Sequence, residues 1–216
     1  MTPLDRAVAV MDRLRAPGGC PWDAAQTHIS LVRYLVEECY ELVQAIEDDD
    51  PVAMREELGD VLLQVLFHAR IAAEQSDPAL RFDIDEVAQT LVDKLVRRHP
   101  HVFGANGSGS PVEESPLDAE DQQRRWDELK RAEHGRSAAL AGVALAAPAA
   151  ALAGKLGARS VKFGVDVPLP DGDDLPEQIF RLAYELGRRG EDPETAVRAV
   201  ARGHAAAMAA WEVAGR

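Results

Sequence analysis

The sequence predicts an all-α protein. Strand signals are almost absent, apolar residues recur at helical spacing through long segments, and helix-starting devices stand ahead of those segments. A first helix is expected over Pro3–Arg15, ending before Ala-Pro-Gly-Gly-Cys-Pro. Residues 20–28 read as a structured loop or short helix. Ser30 can cap a helix running to about residue 47. Asp50-Pro51 pairs a good N-cap with proline at the first helical position and opens a long helix to about residue 75. Its stretch 61–67 is apolar nearly all round, as expected for a helix buried on most faces.

Asp83-Ile-Asp-Glu86 resembles a capping box before a helix that stops at His99, because Pro100 disfavours helix just upstream. Residues 104–116 are rich in Gly, Ser and Pro and read as a linker. A polar helix is expected over 117–134, then helix again in the Ala-rich region 138–153. A loop over 168–176 precedes helices at 177–189 and Pro193–Ala214. The organisation expected is a first helical domain over 1–103, the linker, a further helix within 117–136, and a second helical region over 137–216.

Composition narrows the function classes. With 216 residues, 46% hydrophobic and 28% charged, the chain can bury a sizeable core as an ordinary globular protein. A net charge of -13 argues against a polyanion-binding surface, so no nucleic-acid polymer is expected as partner. It leaves room for a small phosphorylated ligand, because a bound divalent cation inverts the local charge logic. Cys20 and Cys39 make neither a disulfide framework nor a zinc site. The N-terminus lacks the pattern of a signal peptide, and the apolar runs are too short to span a bilayer. A cytoplasmic protein without a membrane partner is the expectation.

Glu38/Glu41 and Glu57/Asp60 are carboxylate pairs in neighbouring apolar helical segments. Residues three apart share a helix face, and like charges there cost about 0.2–0.5 kcal/mol. None of the four has Lys or Arg three or four positions away on either side. A solvated face suits Glu37, which has Arg33 four residues before it, but it suits this quartet poorly. A cation is expected among them. Oxygen ligands without His or Cys favour Mg²⁺, with Mn²⁺ as a substitute, over zinc or copper. A di-iron bundle would want Glu-x-x-His on two helices, which the segment lacks. Lys94, Arg97 and Arg98 form one basic face that could meet phosphate, although cations in a last helical turn also complement its dipole. His28, His68, His99 and His101 are read as structural.

These motifs, taken in order, resemble a known family. Gly19-Cys-Pro-Trp-Asp-x-x-Gln-Thr-His28, Glu37-Glu-x-x-Glu41, Glu57-x-x-Asp60 and Asp93-Lys-Leu-x-Arg-Arg-His-Pro-His-Val-Phe103 are similar to the MazG-type nucleoside triphosphate pyrophosphohydrolases. Trp126-Asp-Glu-Leu-Lys130 extends the likeness past the linker. The resemblance implies a helical bundle whose four-helix core is assembled from two protomers, hence a homodimer. It also implies Mg²⁺-dependent hydrolysis of (d)NTPs to monophosphate and pyrophosphate. By motif match, Glu38, Glu41, Glu57 and Asp60 would hold the metal, and Lys94 and Arg98, with Arg97, would contact phosphate. Trp22, Gln26, Trp126 and Lys130 would shape the nucleotide pocket.

The C-terminal half departs from that pattern. Residues 148–166 resemble the entry segment of a second domain of the same type, yet no Glu-x-x-Asp helix follows. Arg181 and Leu182 stand where a glutamate pair would be. A degenerate second copy that supports the dimer or regulates it is expected, with one site per chain. Two rivals stay open: a metal-dependent phosphohydrolase of different bond or substrate choice, and a non-enzymatic helical dimer that binds nucleotide.

Overall fold

A computed structural model describes residues 1–104 and 138–215, and those residues contain helices but no strand. The chain divides into two compact units, Met1–Glu114 and Ser115–Arg216. The linker expected over 104–116 and the helix expected within 117–136 lie almost wholly outside the described residues.

The first unit opens with α1 (Pro3–Arg15) and the short α2 (Pro21–Ala25). Thr2 and Asp5 form a reciprocal capping box ahead of α1. Between the two helices, Cys20 N donates to Leu14 O at 2.7 Å. A Cβ on Gly19 would lie 2.2 Å from that same oxygen, so the turn tolerates only glycine there.

Helix α3 (His28–Glu47) starts earlier than the Ser30 cap predicts. Thr27 is the cap: its Oγ1 accepts from Ser30 N, and Ser30 Oγ accepts in return from Thr27 N. Ser30 therefore completes a capping box instead of opening the helix. A tight reversal follows, with Asp49 at φ 52°, a left-handed conformation that Asp tolerates better than most side chains. Asp50 then caps α4 (Pro51–Ala73) by accepting from Val52 N and Ala53 N. Helix α5 (Ile84–Arg98) carries the expected Asp83/Glu86 box. Pro100 starts a separate turn, α6 (Pro100–Phe103), because proline needs no donor at a first helical position.

Met11, Leu31, Leu66, Phe67 and Ile71 form the core of this unit, with Ala7, Val8, Tyr34 and Ile84 packed against it. Full burial of a side chain such as Leu31 contributes about 1.5–3 kcal/mol. The stretch 61–67 of α4 is not buried on most faces as its composition predicts. Gln64, Leu66 and Phe67 face inward, but Leu62 and Val65 remain 37% and 38% exposed. Within one chain α4 packs on α1, α3 and the start of α5, which leaves one apolar side uncovered.

The second unit contains α7 (Ala149–Phe163), α8 (Leu175–Arg188) and α9 (Pro193–Ala214). Residues 138–148 form turns instead of the expected helix, since Pro148 disfavours helix before it and itself stands at the N-cap of α7. Helix α8 begins two residues before its expected start because Asp174, not a later residue, caps it. Helices α7 and α8 touch backbone to backbone: a Cβ on Gly157 would lie 2.0 Å from Tyr184 O.

Candidate metal centre

The hairpin of α3 and α4 places its acids together. On α3, Leu31, Tyr34, Glu38, Glu41 and Ala45 follow helical spacing along the face turned to α4. On α4, Glu57, Asp60, Gln64, Phe67 and Ile71 do the same. One ligand oxygen from each of Glu38, Glu41 and Glu57 lies within 4.8 Å of the others. Glu38 and Glu57 are half-buried, whereas Glu41 is exposed. Asp60 stands outside this trio, although its charge acts on both Glu38 and Glu57.

The electrostatics are one-sided. Burial, then Asp60, Glu41 and Glu57, push the Glu38 carboxyl above its ordinary value. Burial, then Glu41, Asp60 and Glu56, do the same to Glu57. Every influence on either group raises it, and no described cation offsets them. Such a set resists ionising unless positive charge arrives from elsewhere. The donors are all hard oxygens, and two of the three retain solvent access only in part. They fit a divalent ion of the Mg²⁺ or Mn²⁺ kind, which takes a few carboxylates and completes its shell with water and phosphate oxygens. The expected Arg33–Glu37 pairing does not form: the Arg33 guanidinium lies 4.4 Å from the Tyr34 ring centre and donates to the Tyr34 hydroxyl.

The other predicted site residues divide. Lys94 and Arg98 are half-buried and Arg97 is exposed on α5, and none of them offsets the charge at Glu38 or Glu57. Trp22 packs edge-on against Tyr34 and Phe67, at ring-centre distances of 5.9 and 6.4 Å, and leaves half its surface open. Gln26 is occupied at both ends of its amide, donating to Trp22 O at 3.0 Å and accepting from Ser30 Oγ at 2.7 Å. Trp126 and Lys130 lie outside the described residues. A cavity bounded by Met11, Leu66, Arg70 and Ile84 contains none of the quartet.

Two features escape a reading by sequence spacing. Buried Arg15 ties α1 to the carbonyls of Asp23 and Gln26 at 2.5 and 3.2 Å, and to Glu74 at 2.7 Å. His28 and His68 meet Nδ1 to Nδ1 at 2.8 Å. Both pairings join distant segments, and neither has a local pattern that announces it.

In the second unit, Arg181 holds a loop. Its Nη1 donates to Pro170 O and Gly172 O at 2.8 and 2.9 Å, pinning the loop before α8. Among the described residues the trio is the one group of three metal-capable side chains within mutual reach.

The fold and site thus define an all-α protein whose helical hairpin presents an oxygen-only carboxylate cluster. Comparison with known proteins gives that class a family. Residues 26–103 match the model of the MazG nucleotide pyrophosphohydrolase domain. The chain is 41% identical over 191 residues to the nucleoside triphosphate pyrophosphohydrolase/pyrophosphatase MazG of Thermotoga maritima, covering 88% of this chain and 68% of that one. It is 36% identical over 191 residues to the nucleoside triphosphate pyrophosphohydrolase of Escherichia coli K12, with 86% and 68% covered. A 26.1 kDa protein of the blaB 3′ region of Streptomyces cacaoi is 48% identical over 206 residues, with 95% and 81% covered. The chain belongs to the MazG family.

Proposed function

We propose that this protein hydrolyses nucleoside triphosphates, (d)NTP plus water to (d)NMP plus pyrophosphate, and so clears nucleotides from the cellular pool. The Glu38, Glu41 and Glu57 cluster carries the proposal, since three carboxylates held this close suit a divalent cation, and a polyphosphate substrate brings one. The names of the relatives from Thermotoga maritima and Escherichia coli support the reaction class.

Glu38, Glu41, Glu57 and Asp60 would hold Mg²⁺, or Mn²⁺ in its place. That ion supplies charge neutralisation for the triphosphate when bound. The remaining work falls to the chain itself. Lys94 and Arg98, with Arg97, take the phosphate oxygens and stabilise charge on the departing pyrophosphate. A water oxygen attacks the α-phosphorus, the bond from that phosphorus to the bridging oxygen breaks, and a carboxylate accepts the water proton. Glu37, Glu41 and Glu56 are the acids available for that last role. The open side of Trp22 offers a face for the base. Gln26 shapes the pocket by holding Trp22 through its carbonyl. Trp126 and Lys130 complete the substrate contacts.

Uncovered apolar stripes support assembly into a dimer. Ile29, Val32, Val36 and Tyr40 recur on the side of α3 turned from α4, and Leu58, Leu62 and Val65 share a side of α4. Pairing two such hairpins gives a homodimer with a four-helix core. The C-terminal region over 137–216 is taken as a shortened second copy that supports this dimer and leaves one site per chain. Among the described residues no helix is long and apolar enough to cross a membrane, and Cys20 and Cys39 are free thiols. A reducing cytoplasm suits them.

The reaction is tested on a panel of (d)NTPs with Mg²⁺, separating products by ion exchange. Monophosphate and pyrophosphate in equal amounts are expected. Diphosphate with orthophosphate would move the cut to the terminal phosphate, and no turnover on any member would remove the enzyme reading.

A further inference from the structure

The meeting of His28 and His68 suits one proton held between two ring nitrogens. Their Nδ1 atoms are 2.8 Å apart and their ring planes differ by 1°. The 5.1 Å between ring centres is the N···N distance plus one ring radius at each end. Both nitrogens therefore lie on the line joining the rings, and the rings are coplanar with their Nδ1 lone-pair directions opposed. One N–H fits between them, whereas two would collide. A metal does not fit either, because half the gap is far shorter than a metal–imidazole bond of about 2.0 Å.

This contact sits at a corner that the rest of the fold has built around Trp22. His28 is the first residue of α3, directly after the Thr27 cap. Gln26 links Trp22 O to Ser30 Oγ, so α2 hangs on the start of α3. His68 follows Phe67, whose ring Trp22 meets edge-on. The histidine pair thus anchors to α4 the same corner that presents Trp22 to α4.

We propose that the proton-sharing His28–His68 pair is a positioning device that holds the α2–α3 corner on α4 and thereby sets the place of Trp22. The proposal rests on the reading of Trp22 as a nucleotide contact. Positive charge enters this corner reluctantly. His28 stands at the positive end of the α3 dipole. Burial, then His28, keeps His68 below the ordinary histidine range. The His68 Nε2 is buried without a hydrogen-bond partner among the described residues.

Charged groups on the neighbouring elements are Arg15 and Asp12 from α1, Asp23 from α2, Arg33 from α3, and Arg70 and Glu74 from α4. Arg15 is paired with Glu74 at 2.7 Å and Arg70 with Asp12 at 2.9 Å, while Arg33 lies on Tyr34. His28 is the one charge among them that acts on His68. The corner therefore has two anchors, the Arg15–Glu74 ion pair and the His28–His68 contact. A second proton parts the pair and frees the corner.

The test uses the full chain with ¹⁵N-labelled histidine, titrated by imidazole NMR. One protonated and one bare Nδ1 are expected, with His68 titrating below the ordinary value of about 6.5. In a W126F/W211F background, Trp22 emission should shift with the same midpoint. His68→Gln should remove that shift, with His28→Gln as the second variant should the first not fold. In otherwise native enzyme, KM for the triphosphate should rise roughly three- to tenfold through the same midpoint, the range that one lost hydrogen bond produces. In His68→Gln, KM should stay flat while the kcat profile is retained. Two rings titrating independently near 6.5, or a Trp22 shift that persists in His68→Gln, overturns the proposal. Coupled rings and a moving Trp22 with an unmoved KM uphold the anchor and instead remove Trp22 from the nucleotide site.

Discussion

Arg15 and Glu74 form a two-pronged ion pair between the last turn of α1 and the C-cap of α4, with Nε–Oε1 at 3.0 Å and Nη2–Oε2 at 2.7 Å. The Arg15 side chain is 3% exposed and its Nη1 also serves two carbonyls around the end of α2. One side chain thus joins α1, α2 and α4, the elements that fix Trp22 and the α4 face bearing Glu57.

Glu74→Gln should destabilise the protein by about 1–2 kcal/mol, less than a fully buried pair because Glu74 is a third exposed. The Arg15 hydrogen bond chiefly holds the Glu74 carboxyl below its ordinary value, and the Arg15 and Arg70 charges assist. The unfolded state therefore binds the proton first as pH falls. The pair's contribution is complete above the ordinary carboxylate value and disappears as pH drops through the lower folded one. Urea midpoints of the native protein and Glu74→Gln, measured across the acid range, should converge at the acid end.

Glu38 has the opposite sign. Burial and its acid neighbours raise its folded value, so the native state holds the proton longer than the unfolded state. Its contribution to stability falls as pH rises through the carboxylate range. Without divalent ion, Glu38→Gln should be more stable near neutrality by about 0.2–0.5 kcal/mol for each like-charge neighbour relieved. Calorimetry with chelator should show the higher melting temperature in the variant, and Mg²⁺ with nucleotide should reverse the order.

Much of this was legible in the sequence, because helix starts are local chemistry. Asp50 and Asp83 each announce a cap within three residues, and helical spacing puts Glu38 with Glu41 on one face, where Glu57 of the next helix meets them. What could not be read were pairings between segments far apart in the chain. His28 with His68 and Arg15 with Glu74 have no periodicity to reveal them. Ser30 deceived for a related reason, as a serine at the third helical position looks like a cap until Thr27 is seen to reciprocate. The 61–67 stretch deceived because composition reports that a face is apolar without reporting whether anything covers it.

That uncovered face gives a prediction. Leu62→Lys places a charge on the α4 stripe where a second hairpin is proposed to pack. Analytical ultracentrifugation should find the native chain dimeric and the variant shifted to monomer at equal concentration. An unshifted dimer would place the interface elsewhere.

Glycines of the second unit should respond in opposite directions. Gly157→Ala drives a methyl into Tyr184 O and should cost about 1–3 kcal/mol, as overpacked interiors do. Gly203, in α9, has nothing within 4 Å of an added Cβ, so Gly203→Ala should stabilise by about 0.5–1 kcal/mol through helix propensity. Urea unfolding of the two variants checks both signs.

The central claim is that the acids of the α3–α4 hairpin form the metal site of a nucleoside triphosphate pyrophosphohydrolase. The measurement closest to it is Mg²⁺-dependent pyrophosphate release by Glu57→Gln and Asp60→Asn, each first shown to be folded by circular dichroism. The account predicts a loss of about 100-fold or more in kcat for both, the scale expected when charge stabilisation is removed from a reacting phosphate. Folded variants that release pyrophosphate at near-native rates with unchanged Mg²⁺ dependence would contradict it.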